Sequence, residues 1–188
     1  MEKKELIRLS ATKIIAKEGF YKTKVQSIAD DAEIAVGTVY IYYKSKDGIL
    51  DYIFEAQRKK IVEYSKKFEK ENIPPLDKIK KILRFHFKEL RDAPDLAKVL
   101  ARESIESPAD GKSWIKNGTV GVPEIFRKIL DESKLKGEIR DVDTELFGAI
   151  IYFVGAETAY LLQVQGKHDK HYKIFKDLVT FIINGIRK

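Results

Sequence analysis

The sequence contains no cysteine among its 188 residues, and only one methionine and one tryptophan. The missing cysteine excludes a disulfide framework, a thiolate metal site and a cysteine nucleophile. No glycine-rich phosphate loop and no nucleophile motif is present, so no catalytic residue, metal site or cofactor is expected. His168 and His171 have helical spacing, but no third ligand accompanies them, and they read as a solvated pair. The longest uninterrupted apolar stretch, Leu146 to Ala156, is 11 residues long and is bounded by Glu145 and Glu157. That is too short to span a bilayer and reads as a buried helix. No charged-then-apolar leader is visible, so a cytoplasmic location without a membrane partner is expected.

What the chain does have is helix. Hydrophobic residues make up 44% of it and recur at intervals of three and four, whereas no segment keeps the strict alternation of a strand. The class is therefore all-α. The net charge of +7 permits nucleic-acid binding without requiring it. Residues 1–50 hold 9 Lys and Arg against 7 Asp and Glu, a net of +2, so +5 of the excess lies beyond them. A case for DNA must therefore rest on where particular residues stand.

The most informative stretch is Val25 to Asp47. Val25, Ile28, Ala29 and Ala32 share one helical face, and Val39 and Tyr43, four apart, can pack against it. Val36, Gly37, Thr38, Tyr40 and Ile41 are left pointing outward, with Tyr42 at the flank. Hydroxyls of Thr and Tyr suit phosphate oxygens, and Val, Ile and Tyr rings suit thymine methyls. Gly37 permits close backbone approach. Lys24, Lys44 and Lys46 are placed for phosphates, and Gln26 for bases. Ser45 reads as the N-cap of the next helix, with Asp47 in its first turn. Two short helices joined by a tight turn, the second outwardly polar and aromatic, make a helix-turn-helix. An earlier helix with a stripe of Ile7, Ala11, Ile14 and Ile15, stopped by Gly19, completes a three-helix unit.

The run Ile28-Ala29, Ala32, Ile34, Gly37-Thr38-Val39-Tyr40 and Tyr42-Tyr43-Lys44-Ser45-Lys46 resembles the DNA-binding signature of the TetR family of bacterial transcriptional regulators. The resemblance covers about a quarter of the chain. It implies a homodimer that binds double-stranded operator DNA through residues 1–47 and releases it when a small molecule enters a helical domain over 48–188. Two positions depart from the family pattern. Glu33 stands where glycine is usual in the turn, and Ala35 where serine usually caps the recognition helix; the lost cap is worth ~1 kcal/mol.

Six further helices are expected, about nine in all. They cover 46–70, a segment opened by Pro74 and Pro75 that carries Ile79, Ile82, Leu83, His86 and Leu90, one opened by Pro94, 113–135 with an irregular first half, one capped by Asp143 and running to Gln165, and 169–187. Ser107 to Lys112 reads as a loop. Aromatic and polar residues of the second domain form a candidate ligand pocket: Phe85, His86, Trp114, Phe126, Tyr152, Phe153, Glu157 and Tyr160. At helical spacing the same aromatics also suit a plain core, and both readings stand at this point. The last two helices are apolar on more than one face, which calls for a second partner. Phe147, Ile151, Leu162, Phe175, Ile182 and Ile186 are the candidate dimer contacts, with Gly148, Gly155, Ala156 and Ala159 permitting close helix approach. The second domain is also diffusely similar to the acyl-CoA-responsive branch of the family, in His86-Phe87, Pro94-Asp95-Leu96-Ala97, Glu103, Gly137-Glu138-Ile139 and Gly155-Ala156-Glu157. Ile105 stands where that branch would place an arginine. The resemblance thus implies a repressor released by a hydrophobic small molecule, with an acyl-CoA or fatty acid as leading guess. A helical DNA-binding or partner-binding protein without an effector is the alternative.

Overall fold

The computed structural model describes residues 2–68, 71–105, 121–166 and 170–188. The loop expected at Ser107 to Lys112, Trp114 and His168 lie outside them. Nine helices occur among the described residues: α1 Lys3–Glu18, α2 Val25–Asp31, α3 Val36–Tyr42, α4 Lys46–Lys66, α5 Pro75–Asp92, α6 Pro94–Ile105, α7 Val122–Leu135, α8 Thr144–Val164 and α9 His171–Ile186. The only extended pairing among these residues is one antiparallel bridge, Ile139 with Arg187.

Helix boundaries follow local chemistry. Ser45 caps α4 by accepting from the Gly48 amide at 3.1 Å, and Asp143 caps α8 by accepting from the Glu145 and Leu146 amides. Pro75 opens α5, where its missing N–H has no helical partner to lose. The α4 helix ends at Lys66, short of the expected 70. Its last turn tightens as the Lys67 and Phe68 amides bond three residues back, to Tyr64 and Ser65.

By packing, the described residues form two compact units. The first comprises residues 2–57 and 94–105 and the second 58–93, 121–166 and 170–188; the dividing line runs through α4. In the first, Ile7, Ala11 and Ile15 of α1 are fully buried, as are Ile28 and Ala29 of α2, Val39 of α3 and Ile49, Leu50 and Ile53 of α4. Leu96 and Val99 bring α6 into the same core, against α1.

The second unit is built on α5, α7, α8 and α9. Ile79, Ile82, Leu83 and Phe87 of α5 are buried, with Phe126 and Leu130 of α7. Gln163 of α8 closes the end of α5 by donating to the carbonyls of Leu90 (3.0 Å) and Arg91 (3.2 Å), which no helical N–H can reach. The small residues of α8 work inside this unit. A Cβ on Gly148 would sit 2.8 Å from the Pro123 carbonyl, and one on Gly155 would sit 2.8 Å from Leu83 Cδ2. Both were expected to serve contact between two copies; they let α7 and α5 approach α8 instead.

The α2–α3 turn is a Schellman closure. Ile34 N–H bonds to Ala29 O at 3.0 Å and Glu33 N–H to Asp30 O at 3.1 Å. Glu33 is left-handed there, at φ 55°, a conformation that strains any residue with a Cβ by ~1 kcal/mol. Glu33→Gly removes that strain, less glycine's extra backbone entropy. A rise in thermal midpoint of at most ~1–2 °C is expected by calorimetry, and a fall would show that the turn does not limit stability.

Candidate nucleic-acid interface

The inward residues of the helix-turn-helix are where the spacing puts them. Ile28, Ala29 and Val39 are fully covered, Ala32 and Tyr43 nearly so. The Tyr43 hydroxyl donates to Lys4 O at 3.1 Å, tying the end of α3 to the first turn of α1, and burial pushes that phenol's pKa up. On the other side α3 presents Tyr40 (50% exposed), Ile41 (81%) and Tyr42 (42%). Gly37 is open: beyond its chain neighbours and its own helix backbone, no atom of the described residues comes within 4 Å of where a Cβ would be. Val36 and Thr38 are half-buried, and Lys24, Gln26 and Lys44 are exposed. Gln26 is braced, its amide donating to Asp30 Oδ1 at 2.7 Å. Lys13 of α1 pairs with Asp31 of α2 and holds that carboxyl below its usual range by hydrogen bonding to it.

An isolated seven-residue helix has no stability of its own, so its aim depends on what holds it. Ala35 gives α3 no side-chain cap. The support comes from the corner between α1 and α2. Lys46 Nζ donates to the carbonyls of Phe20 (2.7 Å), Tyr21 (3.3 Å) and Thr23 (3.1 Å) and lies 4.5 Å from the Phe20 ring centroid. All three of its N–H groups are spent on the chain. The expectation that Lys46 contacts phosphate is corrected: it clamps the corner. The same corner is held by α6. Glu103, 1% exposed, accepts from Phe20 N–H at 3.2 Å and from Arg102 Nε at 3.0 Å, while Arg102 also donates to Ile15 O. Neither role has a local sequence signal, because the partners stand 26 and 83 positions away.

Residues 7–53 match the family model of tetR-family bacterial regulatory proteins. Over these residues the chain carries a TetR-family DNA-binding domain, and it is a DNA-binding transcriptional regulator. It is 26% identical over 178 residues to the fatty acid metabolism regulator protein of Bacillus subtilis (strain 168), covering 94% of this chain and 92% of the relative. A crystal structure of the transcriptional regulator FadR from Bacillus subtilis in complex with stearoyl-CoA superimposes with a TM-score of 0.88 at 26% identity, covering 97% of this chain and 99% of that one. The fatty acid degradation regulator FadR from Bacillus halodurans shares the fold, with a TM-score of 0.89 at 24% identity over 98% of this chain and 96% of that one. These relatives are regulators and not enzymes.

The regulator's second unit separates the candidate pocket residues. His86 is buried (3% exposed), neither ring nitrogen has a hydrogen-bond partner among the described residues, and its ring lies 6.0 Å from that of Tyr152. Phe85 stacks on Tyr64 at 4.1 Å, Phe126 is core, and Tyr160 is half-buried. Phe153 (40% exposed) and Glu157 lie on the outside of α8. The candidate dimer contacts need correction on the same ground. Ile151, Leu162, Phe175, Ile182 and Ile186 are all at or below 8% exposed within the single chain, and Phe147 is half-buried. The apolar residues left outside are Leu146, Ile150, Phe153, Val154 and Leu161 of α8 and Phe181 of α9.

Two outcomes follow. Lys44→Ala is expected to lower the salt slope of duplex binding by about 1 without changing stability, as loss of a single phosphate contact does. Lys46→Ala instead lowers the unfolding free energy by ~2 kcal/mol, since it strands three carbonyls; denaturant titration separates the two. Burial pushes the His86 pKa down to about 4 from 6.5. Between these values the unfolded chain holds a proton that the folded chain lacks, so stability falls as pH drops through that window and is fully retained above it. The loss is ~3 kcal/mol, and His86→Leu flattens the profile.

Proposed function

We propose that this regulator is a cytoplasmic repressor that binds a palindromic operator as a homodimer and is released by a hydrophobic acyl ligand, a fatty acid or its CoA thioester. The supporting observation on the DNA side is the short α3 helix, whose outer face carries Gly37, Tyr40, Ile41 and Tyr42 exposed above a buried Val39. A groove-reading tip has this composition; an ordinary surface helix does not.

The exposed stripe of α8 supports the dimer. Leu146, Ile150, Phe153, Glu157 and Leu161 recur along one face, and Phe181 of α9 is 76% exposed. Monomers seldom leave such a surface bare. A two-fold axis through it would pair two α3 helices on half-sites ~34 Å apart or a multiple of that. The effector class rests on the relatives, one of which is a complex with stearoyl-CoA, and on His86, whose ring nitrogens have no hydrogen-bond partner among the described residues. The α4 helix continues from the first unit into the second and is the connection through which ligand would shift α3.

An operator selected from random duplexes, read by fluorescence anisotropy, tests this reading. Binding is expected to yield a two-fold symmetric site, and stearoyl-CoA to weaken it ~5- to 150-fold. Phe181→Asp is expected to produce monomers by sedimentation and to abolish binding at nanomolar protein. No affinity for any duplex at low salt would sink the DNA reading, and indifference to acyl ligands the sensor reading.

A further inference from the structure

A cleft of about 320 Å³ in the second unit, between α5 and α9, is used by none of these roles. Arg84, Lys88 and Arg91 line it from α5, with Phe87, Tyr172 and Phe175 beside them. The three cations stand at i, i+4 and i+7, on one face and over ~10 Å of helix. Only one carboxylate answers them among the described residues: Asp92 pairs with Arg91 Nε at 2.8 Å and Lys88 Nζ at 3.2 Å. Arg84 has no acidic partner among those residues; its guanidinium stands 5.8 Å from the Phe175 ring centroid. Phe175 meets Phe87 edge-on at 5.0 Å, which fixes the floor. Tyr172 holds its ring 73% exposed at the rim. The α9 helix begins at His171, so its positive dipole end adds to the local field.

We infer that this cleft binds a nucleotide carrying two or more phosphates, with the base against Tyr172 and the phosphates along Arg84, Lys88 and Arg91. A lone carboxylate would engage only one of three cations spread over ~10 Å. A fatty acyl chain has no use for the cations. A concave site of this volume suits a small ligand, whereas a duplex needs a convex element that enters a groove. Exposed aromatic rings beside cations are how proteins hold bases next to phosphates. A free nucleoside diphosphate and the head of a CoA thioester share this chemistry. The site stands apart from the acyl-effector reading, since a nucleotide binds here whether or not an acyl chain has a place elsewhere in the unit.

Calorimetric titration of the whole protein with ADP, with CoA and with inorganic pyrophosphate tests the inference. ADP and CoA are expected to bind, and pyrophosphate at least ~10-fold more weakly, for want of a stacked base. Arg84→Glu is expected to weaken the nucleotides ~10-fold or more. Tyr172→Ala should weaken them ~5-fold and leave pyrophosphate unchanged. Both residues are exposed, so the thermal midpoint should not move. CoA tighter than ADP would point to the thioester head, and equal or weaker binding to a free nucleotide. No binding of either at ~1 mM overturns the inference. So does pyrophosphate binding as tightly as ADP, or Arg84→Glu leaving nucleotide binding intact. A matching loss of affinity for generic duplex DNA in Arg84→Glu would make the cleft a DNA contact and overturn it too. None of these outcomes bears on operator recognition, and loss of nucleotide binding would leave release by a free fatty acid untouched.

Discussion

The backbone of one residue, Phe20, carries the DNA-reading end of this regulator. The N–H of Phe20 is held by Glu103 of α6, and its carbonyl by Lys46 at the start of α4. Both bonds are charge-assisted, and Glu103 is almost wholly withdrawn from water, which strengthens it. A carboxylate buried this deeply is tolerable only if hydrogen bonds replace its lost hydration. Phe20 N–H and Arg102 Nε are the two donors that do so. Removing either side of the grip therefore strands the other. The α1–α2 corner fixes the start of α2, the Schellman turn at Glu33 fixes α3 on α2, and Tyr43 returns the chain to α1. The seven residues of α3 are aimed by this closed circuit and not by their own helicity.

That circuit marks the limit of what was legible beforehand. The inward and outward faces of α2 and α3 could be read because one periodicity decides them, and each residue has only two sides to face. The caps at Ser45 and Asp143 could be read because their partners lie within three residues. Glu33 could be singled out because a turn of that length needs a left-handed residue whatever its side chain. Lys46 could not be read. Its position after Tyr42-Tyr43-Lys44 suits a phosphate, and only the tertiary arrangement brings three carbonyls to its ammonium.

The misassigned dimer contacts have a related cause. The α8 helix is apolar around most of its circumference: Thr144–Gln163 has a mean hydropathy of 1.4, long and apolar enough by composition to cross a membrane, though only 28% of the stretch is buried here. Where apolar residues occupy nearly every face, periodicity cannot say which face turns inward. The choice is made by α5 and α7, which approach wherever glycine leaves room, at Gly155 and Gly148. That approach draws Ile151, Ala159 and Leu162 inward and leaves Leu146, Ile150, Phe153 and Leu161 for the outside. The surplus of apolar surface was therefore legible, and its register was not.

The distribution of charge carries the same lesson into function. A regulator that needed its net charge for DNA would concentrate it beside α3, yet residues 1–50 hold only +2 of the total +7. Even there, Lys46 and Lys13 are turned to the protein itself. Affinity for the duplex must then come from a few well-placed contacts and not from a broad field, which favours a specific site over diffuse attraction. Part of the remaining positive charge, at Arg84, Lys88 and Arg91, lines an aromatic-floored cleft in the second unit. Cations gathered into a concavity against a single acidic residue repel one another, a tension that a bound polyanion would relieve. The excess of basic residues is thus not gathered beside α3, and part of it lines a concavity in the second unit.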